Sequence, residues 1–236
     1  MAASHPDPSP LPPIPPSALL LPAAAIVLAS NVAVQYPVFA EVGGLQLADL
    51  LTYGSFTYPF AFLVTDLTNR RYGPKVARRV VFAGFAAAVL CSLLVPPLLY
   101  DMGLLGFATT ADRLFRIAVA SGGAFLLAQL LDVAVFTRMR QDSWWRAPAF
   151  SSLSGSVLDT LTFFTIAFAP LFVFIGASDG FALESAPLLG MFSQEAPRWV
   201  SWAIGDFTVK LTVSAIALIP YRVIMQRFMP YRPQAA

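Results

Sequence analysis

Six stretches of about 20 mostly apolar residues, each long enough to cross a hydrocarbon core, take up most of this chain. They run over roughly 18–39, 48–69, 76–99, 114–137, 149–175 and 200–224. No water is available inside a bilayer to satisfy an exposed peptide group, so runs of this length are restricted to helices that close their own hydrogen bonds. The expected fold is therefore all-α, a polytopic membrane protein with six transmembrane helices. Composition agrees, since 57% of the residues are hydrophobic and only 12% are charged. Pro22, Pro37, Pro59, Pro96, Pro97, Pro170 and Pro220 fall within or near the ends of these stretches. Membrane helices tolerate such breaks where neighbours satisfy the freed carbonyls.

The charges orient the bundle. Arg70, Arg71, Lys75, Arg78 and Arg79 fall between spans two and three, and Arg138, Arg140 and Arg146 between four and five. Arg222, Arg227 and Arg232 close the chain. The alternate loops hold only Arg113, Arg116 and Arg198, against Glu41, Asp101, Asp112, Asp179, Glu184 and Glu195. The positive-inside rule places both termini in the cytoplasm. Residues 1–16, MAASHPDPSPLPPIPP, are too proline-rich for a helix and form an expected disordered cytoplasmic tail. The six-helix transmembrane domain is expected over 17–226 and a second cytoplasmic tail over 227–236. No basic residue precedes the first apolar run, which argues against a cleaved signal peptide.

Several function classes drop out early. His5, in the tail, is the one histidine, which removes serine-type triads and the usual zinc ligands. Cys91, the one cysteine, sits in an apolar run where packing is its expected role. No metal site and no cofactor is expected. A net charge of +2, with aromatics inside apolar runs rather than among basic residues, gives no reason to expect nucleic acid as a partner.

What remains to be explained are polar side chains inside apolar spans, each costing about 2.5–3.5 kcal/mol if ionised at the bilayer centre. Asp66 and Asn69 share a helix face near the basic end of span two. They read either as an interfacial helix end, with Asp66 paired to Arg70 or the basic loop, or as a gate or proton-coupling site. Gln129 and Asp132 repeat that spacing in span four, where the alternative to a ligand site is a buried pair with a loop arginine. Asp159 lies deeper in span five, with Ser152 and Ser156 on its face, and favours a functional role. Asp206 and Lys210, spaced i, i+4 in span six, either neutralise each other or open to accept a ligand or proton. Asn31 and Gln35 suit helix-to-helix hydrogen bonding as well as ligand contact. Together they favour a polar cavity for a small solute that hydrogen-bonds and stacks, because Tyr58, Phe60, Phe62, Phe136, Phe163 and Phe164 lie in the same helices.

The stretches "NVAVQYPV" (31–38), "TYPFAFLVTDLTNRRYGPKVARRVV" (57–81), "AQLLDVAVFTRMRQDSWWRAPAFSSLSGSVLDTLTFF" (128–164) and "GDFTVKLTVSAIALIPY" (205–221) resemble the queuosine precursor transporter family of bacterial inner-membrane proteins, also called the vitamin uptake transporter family. The resemblance implies uptake of the 7-deazaguanine precursors of queuosine, in their 7-cyano and 7-aminomethyl forms, for tRNA modification. It also implies a six-helix fold like the substrate-binding subunits of energy-coupling-factor transporters. The family's motif positions fall on Asn31, Gln35, Asp66, Arg78, Arg79, Gln129, Asp132, Arg138, Asp159 and Lys210. Ser156 departs from the asparagine common in that motif, which bears on a local hydrogen bond or on selectivity.

A guanine-like base offers two adjacent N–H donors that one carboxylate accepts together, and its carbonyl wants an amide or lysine donor. Asp159 or Asp132 is the expected edge-reading carboxylate, with Asn31, Gln35, Gln129 and Lys210 as partners and Phe60 and Phe163 as stacking rings. Asp66, Asn69 and Asp206 are the expected gate or proton-coupling groups, and Trp144 and Trp145 the expected interface anchors of a basic loop. A substrate-binding subunit for a vitamin or other nucleobase-like solute, driven by a separate ATPase, is the alternative; this chain has no P-loop. A membrane enzyme, lacking any intramembrane histidine, is the remote one. The expected partners are thus a nucleobase and membrane lipid, with a homo-oligomer and an external ATPase left open.

Overall fold

A computed structural model describes residues 17–228. The Pro-rich segment 1–16 with His5, and the residues beyond 228 with Arg232, lie outside that range. Six helices dominate: α1 (Ser17–Ala33), α2 (Pro59–Tyr72), α3 (Pro74–Asp101), α4 (Ala111–Met139), α5 (Arg146–Phe168) and α6 (Arg198–Phe228). By length and composition α3, α4 and the 198–226 part of α6 can each cross a membrane, and α1 adds a shorter apolar run over Leu20–Ala33.

Proline explains where helices stop short of the apolar stretches. The first stretch is helical only to Ala33, and the chain is extended by Pro37, which forms a bridge with Thr52. The second is broken into a 3-10 turn at Leu47–Asp49, one helical turn at Gly54–Thr57, and α2, which takes Pro59 at its first position. The fifth ends at Phe168, because Ala169 must be extended (ψ 138°) ahead of Pro170. Gly73, at φ 81°, and Pro74 make the turn from α2 into α3. The fold is all-α as expected, with two short hairpins in its connections. Glu41–Val42 pairs with Leu45–Gln46 across Gly43 and Gly44, both at positive φ, as a two-residue hairpin turn requires. Ser185–Pro187 pairs with Glu195–Pro197 in a second short hairpin.

α4 packs along α5 and α3, and α6 closes against α5 and α2. Gly155 lets α5 approach α2 closely, since a Cβ there would sit 2.6 Å from the Phe62 ring. One apolar cluster joins Val27, Ala61, Val81, Phe125 and Val133 from α1 to α4. The outer faces are apolar too, with Leu94 62% and Ile219 68% exposed. In water such surface is a liability; in a bilayer it is the required exterior.

The basic loops meet at one end of the bundle. Arg70 Nη1 donates to the Arg140 carbonyl and Arg140 Nη2 to the Arg70 carbonyl, each at 2.6 Å, while Arg222 stacks over Trp144 at 5.0 Å. The hairpins and the acidic loops lie at the opposite end, where Trp202 Nε1 donates to the Asp49 carbonyl at 2.8 Å.

Candidate functional site

A cavity of about 480 Å³ opens at the end away from the basic loops and runs down between α1, α3, α4, α5 and α6. That volume falls in the range of small-molecule sites. Its floor is charged. Lys210 Nζ lies 2.6 Å from Asp159 Oδ2 and 2.5 Å from Asp206 Oδ2, bridging α5 and α6. Tyr58 Oη donates to Asp159 Oδ1 at 2.9 Å, and Ser55 Oγ to Asp206 Oδ1 at 2.8 Å. Thr160 Oγ1 donates to Asp206 Oδ2 at 3.1 Å, so all four carboxylate oxygens accept a hydrogen bond. The lysine also sits 5.0 Å from the Tyr58 ring centroid. Two acids against one base leave the floor one formal negative charge if all three are ionised.

The walls divide by chemistry. On the α1 side, Asn31 Nδ2 donates to the Val27 carbonyl at 2.9 Å and its Oδ1 accepts from Ser92 Oγ at 2.9 Å. Gln35 Nε2 donates to the Asn31 carbonyl at 3.3 Å. Each amide nitrogen thereby keeps a second N–H. On the α5 side Phe163, Phe164, Phe168 and Trp202 form an aromatic wall, with Phe163 and Phe164 edge to face at 5.1 Å and Phe168 and Trp202 at 5.5 Å. At the mouth Arg113 pairs with Asp179, and Arg198 pairs with Glu184 at 3.2 Å and stacks on Phe181.

The structure therefore brings together Asn31, Gln35, Asp159, Phe163 and Lys210, and adds Asp206 to them. Gln129, Asp132, Asp66 and Asn69 form a second polar group, closer to the basic end and fully or almost fully buried. Asn69 Nδ2 donates to the Val133 carbonyl at 3.2 Å and to Thr137 Oγ1 at 3.1 Å, fastening α2 to α4. Phe60 is placed elsewhere: it is 41% exposed and does not line the cavity. Ser55, Ser92 and Thr160 are partners that sequence reading passed over, since a hydroxyl in an apolar span carries no distinctive signal. Arg116, expected in a loop, is wholly buried in α4, where it donates to the carbonyls of Ile166 (2.8 Å) and Ala169 (2.6 Å) and caps the broken end of α5.

Apolar helices enclosing a satisfied, charged and aromatic-walled cavity define a membrane carrier of a small organic solute. The chain belongs to the family described as "Putative vitamin uptake transporter", whose sequence profile matches residues 52–225. It is similar to the "Queuosine precursor transporter" of Escherichia coli, 37% identical over 209 residues that cover 86% of this chain and 83% of the relative. The "Probable queuosine precursor transporter" of Haemophilus influenzae is 34% identical, covering 85% of this chain and 82% of its own. That of Bacillus subtilis is 27% identical, covering 76% and 73%. No solved structure matches the chain. The protein is accordingly a multi-pass membrane transporter and not an enzyme.

Proposed function

We propose that the protein takes up the queuosine precursors 7-cyano-7-deazaguanine and 7-aminomethyl-7-deazaguanine across the bacterial inner membrane for tRNA modification. The observation that carries this is the cavity floor, where carboxylates and a lysine face an aromatic wall in a space large enough to admit a flat bicycle. The N–H pair of the base is read by Asp159, whose oxygens each keep a lone pair beyond the bonds already made, with Asp206, free only at Oδ1, beside it. Lys210 has a third N–H for the base carbonyl, and Asn31 and Gln35 supply amide donors from the facing helix. Phe163 and its neighbours stack on the ring. The names of the relatives support the choice of solute.

The topology we infer has six spans formed by α1 to α6, both termini in the cytoplasm, and a fold like the substrate-binding subunits of energy-coupling-factor transporters. The clustering of Arg70, Arg71, Arg138, Arg140 and Arg222 at one end supports this orientation. The cavity then faces outward and the bundle is closed on the cytoplasmic side. The test is queuosine formation in a host unable to make the precursor, grown with external 7-cyano- or 7-aminomethyl-7-deazaguanine. Cells expressing the chain should accumulate modified tRNA; a level equal to empty-vector cells, with good membrane expression, refutes the proposal.

A further inference from the structure

The second polar group has an arrangement that solute binding in the outer cavity does not use. Asp66 on α2 and Asp132 on α4 bring their carboxyl groups into contact, and Ser151 on α5 lies against both. Their exposures are 2% and 0%. Ser151 Oγ donates to Asp66 Oδ1 at 3.1 Å, whereas neither Asp132 oxygen accepts a well-formed hydrogen bond. One helical turn along the same face of α4, Gln129 is wholly buried with both amide atoms unpartnered, and so is Ser156 Oγ on α5. A crevice of about 10 Å³, the size of one water, reaches Asp66 between α2, α5 and α6 past Ser152, Ser214 and Tyr221.

The charged and titratable neighbours are few. Arg70, one turn below Asp66, is the nearest cation, and it directs Nε to Tyr221 Oη at 3.1 Å and Nη1 to the Arg140 carbonyl. Arg140 lies beyond it, just past the end of α4, and Tyr221 beside it on α6. Among the described residues, no lysine or arginine forms an ion pair with Asp132. Two touching carboxylates in such a place cannot both be ionised, whereas a single proton held between them turns repulsion into a hydrogen bond.

We propose that Asp66 and Asp132 together bind one proton, and that this proton crosses the membrane with the solute. It enters from the cavity side along the file formed by Asp159, Ser156 and Gln129, and rests between the two carboxyls. It leaves to the cytoplasm when the Arg70/Arg140 end opens. No bond other than O–H is made or broken. One positive charge moves inward with each neutral 7-cyano base, and two with the cationic 7-aminomethyl base, so both the pH gradient and the membrane potential drive accumulation.

The binding half of the proposal is independent of the solute, and the coupling half rests on the reading above. Infrared titration of the full chain in lipid, across about pH 5 to pH 9, should show a protonated-carboxyl band that persists at neutral pH. The band should shift in Ser151→Ala, which removes the hydroxyl on Asp66, and should vanish in the Asp66→Asn/Asp132→Asn double variant. A neutral-pH spectrum without the band overturns the proton pair, as does a band that survives in the double variant. Should the double variant fail to fold, an unshifted band in Ser151→Ala overturns it alone. Vesicles containing the wild-type chain should then take up one proton per 7-cyano-7-deazaguanine. Solute uptake without proton movement, or uptake driven by sodium at equal pH, overturns the coupling. No solute uptake beside an intact band overturns the choice of solute and leaves the proton pair standing.

Discussion

The cavity floor and the Asp66/Asp132 pair are made of nearly the same parts and behave as opposites. Each places two aspartates from different elements together, adds serine hydroxyls, and backs them with a tyrosine. At the floor Lys210 stands between the carboxylates and every oxygen is satisfied. At the inner pair no such cation intervenes, and Asp132, Gln129 and Ser156 are left wanting partners. A buried charge network that is complete fixes a geometry, while one that is incomplete invites a proton, water or ligand. The first suits recognition and the second suits change of state.

The sharpest way to break this contrast is Lys210→Met, which makes the floor resemble the inner pair. Removing one partner of a buried ion pair costs about 3–5 kcal/mol. Uptake should fall by more than about 100-fold, with a clear drop in thermal midpoint in detergent, and wild-type uptake would remove Lys210 from the site. Next comes a pair of isosteric changes compared by thermal unfolding. Asp159→Asn takes a carboxylate out of a satisfied network and should destabilise by about 1.5–3 kcal/mol. Asp132→Asn replaces one carboxyl of the inner pair with an amide that can itself donate to Asp66, and should leave stability unchanged or raise it. Equal losses in both would show that the two sites are not energetically different.

A third change touches the wall that separates the two regions. Gly155→Ala pushes a methyl group to within 2.6 Å of Phe62 and 3.3 Å of the Ala128 carbonyl, and overpacking of this kind costs about 1–3 kcal/mol. Denaturation should register it; an unaltered midpoint would mean that α5 can shift freely against α2. The mildest test compares rings. Phe163→Ala should lower solute affinity about 10-fold, given about 0.5–1.5 kcal/mol for an aromatic pair beyond its buried area. Phe60→Ala, on the exterior, should stay within about 2-fold, in keeping with surface substitutions near ±0.5 kcal/mol. Reversed effects in an uptake assay would put the stacking face on the wrong helix.

Much of this was legible in the residues, for identifiable reasons. An aspartate or lysine within an apolar run announces itself through the cost of burying it, which is why Asp159, Asp206 and Lys210 could be singled out. Depth is another matter. Counting residues puts Asp159 deeper in its span than Asp132 but leaves both as candidate base readers, whereas one lies in the sealed half and the other at the cavity floor. Phase was lost at Pro59, where the backbone restarts: Tyr58 points its hydroxyl at Asp159, while Phe60, two residues on, faces outward. Hydropathy also overran the helices at Pro37 and Pro170, because it weighs side chains and ignores a missing peptide N–H. Ser55 and Thr160 could not be found this way, since their importance comes only from Asp206 being next to them.

The reciprocal arginine contacts at the basic end have one more consequence, for leakage. Each guanidinium holds the other residue's backbone carbonyl, so the clasp depends on the main-chain positions of α2 and α4 rather than on any partner side chain. Parting the helices forfeits both bonds at once, and charge-assisted hydrogen bonds are worth about 1.5–3 kcal/mol each. Forfeiting both bonds would cost about 3–6 kcal/mol, enough by itself to hold a form parted at this end below about 1% of molecules. In the orientation proposed above, an empty carrier so latched would spend almost none of its time offering the cell's own solutes a way out.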